Sequence, residues 1–156
     1  MPLRAMLYVR QKTMASIPLK RGWKFATKLE LAARLVEWIA RIVKDSGKKL
    51  WVVVDGGYTK WPFLKRALAA GVTVVGRLRK DAALRDLPPK PRKGQRRGRG
   101  RPRQYGRHKI CLAKRAARKQ GWQKLECTLY GKQVTKTYKT FLATYRPAGG
   151  VIRVVL

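Results

Sequence analysis

The chain has 156 residues, about one domain's length and enough to bury a core. Its hydrophobic content of 45% excludes a disordered basic tail, yet 39 Lys and Arg stand against 7 Asp and Glu, a formal net charge of +32. Such a charge implies a polyanionic partner: nucleic acid first, because phosphates reward each cation by counterion release, with an anionic membrane surface as rival.

Residues 1 to 20 carry one short mixed segment, Met6 to Arg10, which reads as a strand or a strand end before Pro18 and Gly22 break the chain. The first clear element follows. Thr27 and Glu30 fit a capping box, and Leu31, Leu35, Trp38, Ile39 and Ile42 share one helical face. A helix is expected from about 28 to 45, closed by Gly47. Leu50 to Val54 reads as a strand buried on both faces, ending in Asp55-Gly-Gly-Tyr58. A second helix starts near Pro62, buries Phe63, Leu64, Ala67 and Leu68, and stops at Gly71. Val72 to Leu78 is a second strand, so the order suggests a parallel βαβ unit.

Composition changes after Leu78. Arg79 to Leu87 reads as a short helix, stopped by Pro88 and Pro89, and 93–107 is a Gly-, Arg- and Pro-rich loop that cannot pack a core. Ile110 to Gln120 is helix-compatible. A β-rich part follows, in which a hairpin turn expected at Gly131-Lys132 leads into a β-like stretch from Gln133 to Tyr145, and Val151 to Leu156 reads as another strand. The expected domains are 1–87, a basic loop over 88–108, and 109–156. The chain stops mid-strand, which hints at a continuation.

The chemistry is sparse. Asp55 is the one acid expected at a strand's carboxyl end, where open α/β sheets place their ligands; the rival reading is a plain Asp-Gly turn. Glu30, Glu37 and Asp45 belong to the first helix. Asp81 and Asp86 have Arg79, Lys80 and Arg85 to neutralise, and Glu126 accompanies Lys124. Two-metal phosphodiester chemistry needs several carboxylates, so the chain offers one ligand rather than a site. Gly98-Arg-Gly-Arg-Pro-Arg103 contains the Arg-Gly-Arg-Pro core of an AT-hook, in which arginines flanking a narrow backbone follow an A·T minor groove; the rival is an unselective basic loop. Arg96, Arg97, Arg99, Arg101 and Arg103, with Arg77, Arg79 and Lys80, are the candidate DNA contacts. Cys111, Cys127 and the lone His108 cannot make a four-ligand zinc site; the cysteines read as core and His108 as surface. Trp38 and Trp51 read as core, while Tyr58 and Trp61 either pack or line a site with Asp55. No apolar run reaches the roughly 20 residues of a membrane span. A cytoplasmic, nucleoid-associated protein with no membrane partner is expected.

Thr27-Lys-Leu-Glu-Leu31, Trp51-Val-Val-Val-Asp-Gly-Gly-Tyr58, Val74 to Leu84, Arg99-Gly-Arg-Pro-Arg-Gln-Tyr-Gly106 and Tyr138-Lys-Thr-Phe-Leu-Ala-Thr-Tyr145 resemble, in this order, the DDE-superfamily transposases of bacterial insertion sequences. The resemblance implies an α/β fold: a partial ribonuclease H-like core, a mixed sheet with flanking helices, and a β-rich insertion from about residue 109. It implies Asp55 as the second of three catalytic carboxylates and a ligand of Mg²⁺. The first Asp would precede Met1 and the third acid, a Glu, would follow Leu156, so the chain resembles an internal piece that is inactive alone. A complete relative would cleave and join DNA, with element ends and target DNA as partners and a homo-oligomer in the DNA complex. The alternatives are a non-enzymatic basic nucleic-acid-binding protein and a remnant without function.

Overall fold

The computed structural model describes residues 4–16, 24–89 and 100–156. The chain divides into two units, Met1–Arg77 and Leu78–Leu156. Both mix helices with small sheets, a mixed α/β architecture.

In the first unit, residues 6–10 are neither helix nor strand and lead into a single turn, α1 (Gln11–Met14). The long helix α2 (Lys28–Val43) opens with the expected capping box. The Thr27 N–H donates to Glu30 Oε2 at 2.7 Å, and the Glu30 N–H donates back to Thr27 Oγ1 at 3.3 Å. A 3-10 turn over Lys44–Ser46 and a left-handed Gly47 at φ 66° end it, as the spacing predicts. Its packing face is shifted from the predicted stripe, of which Leu31, Leu35, Trp38 and Ile39 are half-buried. Ala33 and Val36 are the buried positions, while Ile42 is well exposed. The small Ala33 is where α2 admits its neighbour, α3 (Trp61–Ala69), whose Phe63, Leu64 and Ala67 are buried. Burying a side chain such as Phe63 is worth about 1.5–3 kcal/mol. Leu68, predicted to be buried, is 41% exposed.

Strands β1 (Trp51–Val54) and β2 (Thr73–Gly76) pair in parallel across α3, the expected βαβ unit, with Trp51 opposite Thr73 and Val54 opposite Gly76. The expectation of a strand buried on both faces fails. Trp51 and Val53 are 63% and 80% exposed, whereas Val52 and Val54 are half-buried. In a strand, side chains alternate between faces. Only the set bearing Val52 and Val54 is covered within this unit. Trp51 is therefore a surface residue. Trp38 is half-buried, with the Arg4 guanidinium 5.1 Å from its ring centre.

In the second unit a four-stranded antiparallel sheet runs β4 (Lys109–Ile110), β3 (Leu84–Arg85), β7 (Thr140–Tyr145), β8 (Gly150–Val155). Residues 79–87 are thus not helical. Leu84 pairs with both Ile110 and Tyr145 and is fully buried with Leu112, Ala143 and Val154. That burial outweighs the helix propensity of the two alanines. The predicted helix over 110–120 shrinks to α4 (Leu112–Ala117), because Ile110 joins the sheet. Cys111 precedes α4 and is exposed rather than core; Cys127 is half-buried. The β-like stretch over 133–145 is shared between two strands. β5 (Gln123–Leu129) and β6 (Lys132–Tyr138) form their own ribbon, and Lys139 separates β6 from β7.

Candidate functional site

Asp55 immediately follows β1 and begins a tight 3-10 turn over Gly56–Tyr58. Its main-chain carbonyl accepts the Tyr58 N–H at 2.9 Å. Its side chain does not cap that turn, and the residue is exposed. The turn-forming reading would have the carboxylate bonded into the turn. Here the turn uses only the backbone of residue 55, so the carboxylate faces solvent at the carboxyl end of the strand.

The turn is held against the neighbouring strand by close backbone approach. A Cβ on Gly56 would lie 3.0 Å from the Arg77 carbonyl oxygen. A Cβ on Gly76 would overlap Thr59 Cγ2 and lie 3.1 Å from Val54 Cγ2. Buried Thr59 donates its hydroxyl to the Gly56 carbonyl at 2.8 Å, with the Arg77 carbonyl at 3.4 Å. Two glycines and one threonine thus fix the direction in which the chain leaves β1. Thr59 and Gly76 escape a search for chemistry-bearing side chains. The clue was a glycine at the end of an otherwise β-branched strand, a mark of close backbone approach.

Asp55 and Arg77 each lie one residue beyond the last pair, Val54 with Gly76, so the two strand ends set an acid and an exposed base side by side. Tyr58 and Trp61 are packing residues as much as site residues. The Tyr58 ring meets Phe63 edge to face at 5.9 Å, and the Lys65 ammonium lies 5.4 Å from the Trp61 ring centre. Two surface grooves of the first unit, one lined by Leu7, Phe25 and Leu31 and the other by Glu37, Lys44 and Leu50, do not include Asp55.

Four of the six remaining acids have structural roles. Glu30 caps α2, and the hydrogen bond from the Thr27 backbone N–H lowers its pKa. Glu37 receives both arms of Arg66 on α3, Nε at 2.6 Å and Nη2 at 2.5 Å, and that bonding lowers its pKa. Asp81 pairs with Arg79 at 3.2 Å, as its neighbours suggest. Asp86 differs from the charge-neutralising role expected of it. Its carboxylate accepts the His108 N–H at 3.0 Å and its carbonyl accepts the Gly106 N–H at 3.1 Å. Asp86 therefore anchors the carboxyl end of the basic loop. Among the described residues no three His, Cys, Asp or Glu side chains come together as metal ligands. Asp55 fits one oxygen ligand of a hard cation, but the described residues do not fit a complete Mg²⁺ site.

Of the candidate DNA contacts, Arg77, Arg79, Lys80, Arg101 and Arg103 are exposed, Arg77 in the first unit and the others in the second. Arg96, Arg97 and Arg99 lie outside the described residues. No described helix is long and apolar enough to cross a membrane.

No curated protein and no solved structure matched the chain. The family model described as DDE superfamily endonuclease matches residues 10–142, a span that includes Asp55, its clamp and most of the second unit. On that match the chain belongs to the DDE superfamily of endonucleases.

Proposed function

We propose that the chain is the DNA-binding part of a transposase of an insertion sequence, with Asp55 as one metal-binding carboxylate of a strand-cleavage centre. The first unit is read as part of a ribonuclease H-like core and residues 109–156 as a β-rich insertion. One observation carries the reading: the Asp55 carboxylate is left out of the turn that it starts, while the backbone around it is clamped. A turn former would be spent locally; a ligand must stay available. In a complete centre Asp55 would supply one oxygen ligand to Mg²⁺, which would serve there to polarise the scissile phosphate and activate the attacking oxygen. This chain's own contribution is narrower. The Gly56–Thr59 turn holds Asp55 in place, and the exposed arginines bind DNA phosphates. One carboxylate cannot hold a metal pair, so the chain by itself binds DNA without cutting it.

The test is a Mn²⁺ titration followed by NMR. Paramagnetic broadening should centre on Asp55 to Gly57 and vanish in Asp55→Asn, while duplex binding changes less than about two-fold, because phosphate contacts supply that affinity. Broadening that survives in Asp55→Asn, or none near residue 55, would overturn the ligand role. A second reading, a non-enzymatic basic nucleic-acid-binding protein, is favoured by the charge of +32 and by the want of a metal-ligand cluster among the described residues. It predicts no metal response at Asp55.

A further inference from the structure

The β5–β6 ribbon is unusual for a soluble fold. It forms a sheet of only two strands, and every residue from Gln123 to Tyr138 is exposed or half-buried. An isolated two-stranded ribbon is marginal in water. Register separates its faces. Leu125, Cys127 and Leu129 stand opposite Lys136, Val134 and Lys132 on one face. The other presents Lys124, Glu126, Thr128, Gln133, Thr135 and Thr137, all exposed and none of them an apolar residue.

The tip is stranger. Leu129 pairs with Lys132, so Tyr130 and Gly131 are the two loop residues, one position earlier than the sequence suggests. Both have positive φ, 51° and 76°. Such turns select Asn, Asp or Gly, and Tyr130 is the one described non-glycine residue with positive φ. It is also fully exposed, at 103%. Nothing in the fold rewards an aromatic ring there, so the ring must serve something outside the chain.

We infer that the β5–β6 ribbon is a reading arm that enters the major groove of duplex DNA, its polar face toward the base edges and Tyr130 leading. The inference rests on the proposed DNA binding and assigns it an element. The dimensions agree: seven-residue strands span roughly 20 Å, and the major groove admits a two-stranded ribbon. The chemistry agrees too. Gln133, Thr128 and Thr135 offer hydrogen-bond donors and acceptors suited to base edges, and Lys124 shares their face with the single Glu126, while Lys132 and Lys136 stand on the opposite face. The Tyr130 ring supplies a flat apolar contact for a thymine methyl or a base face.

The experiment is selection from a random duplex pool, followed by fluorescence anisotropy on the enriched and on unselected duplexes. Asn tolerates positive φ, so Tyr130→Asn keeps the turn, and a thermal melt at or above that of the native chain verifies it. Tyr130→Asn and the double variant Thr128→Ala/Gln133→Ala should each bind the enriched duplex about five-fold or more weakly. The double variant should also lose the enriched sequence while binding unselected duplex like the native chain. Native-like affinity and the same enriched sequence in both variants would overturn the ribbon's role and leave DNA binding standing. Tighter binding to single strands than to any duplex would overturn the groove. No binding to any DNA would instead sink the underlying reading.

Discussion

At the scale of single residues, the chain uses two glycines and a lysine where larger or apolar groups would be expected to serve. Gly106 is buried against Asp86, and a Cβ there would overlap the Asp86 carboxylate and carbonyl. Gly106→Ala should therefore destabilise the second unit by about 2 kcal/mol, an overpacking cost, read as a lower denaturation midpoint. Gly56→Ala, with the Arg77 carbonyl 3.0 Å from the new atom, should cost less, because a small shift relieves it. It should move the Asp55 carboxylate and weaken the Mn²⁺ response. Lys139 is buried, and its Nζ donates to the carbonyls of Arg115, Arg118 and Gln120 at 3.3, 3.0 and 2.5 Å. Three donors meet three acceptors, at the end of α4 where carbonyls lack helical partners. Lys139→Met would keep the volume and strand those carbonyls, costing about 2–3 kcal/mol in chemical denaturation.

At the scale of elements, α2 and α3 are joined by the Glu37–Arg66 fork as well as by apolar packing. Arg66 holds the Glu37 pKa below its ordinary value of about 4.3. A depressed acid stabilises the fold above its unfolded pKa and loses that contribution as pH falls through its folded value. The stability of the first unit should thus be flat near neutrality and decline below about pH 4, and Glu37→Gln should flatten that decline. Both side chains are about one-third exposed, so the pair is worth no more than about 1 kcal/mol. Which elements were legible follows from what fixes each. The α2 start, the βαβ unit, the strand ending at Asp55 and the last strand are set by local signals: a capping box, Pro62, Gly47 and Gly71. β3 was not legible, because Asp81 to Asp86 carries helical propensity and only long-range pairing makes Leu84 a strand residue. The turn at Tyr130 was missed because turn chemistry favours Gly or Asn there. The same departure is what marks the ribbon. At the candidate site, Asp55 was legible from its place after β-branched residues. Thr59 was not, since its contact with Arg77 crosses from one strand end to the next.

At the scale of the whole molecule, a net charge of +32 on 156 residues dominates behaviour. Self-repulsion should make the fold salt-hungry. The melting temperature should rise as sodium chloride increases from about 10 to 150 mM, as screening shortens from about 30 to 8 Å. DNA affinity should move the opposite way, falling with a log–log slope of about −0.9 for each phosphate contacted. Arg101→Ala/Arg103→Ala should make that slope shallower by up to about two, since both side chains are exposed on the basic loop whose end Asp86 anchors. An unchanged slope, measured by anisotropy over a salt series, would place the DNA elsewhere.

Lys139 has one more consequence, in chemical reactivity. Most of the described lysines stand in water and will react with an acylating reagent within its own lifetime. Lys139 is shielded by its three carbonyls and by the Trp122 ring, whose centre lies 5.7 Å away. Its acylation must wait for the second unit to open. The slow modification of one amine, read by mass spectrometry against its fast neighbours, becomes an internal clock for that opening, and bound DNA should slow it.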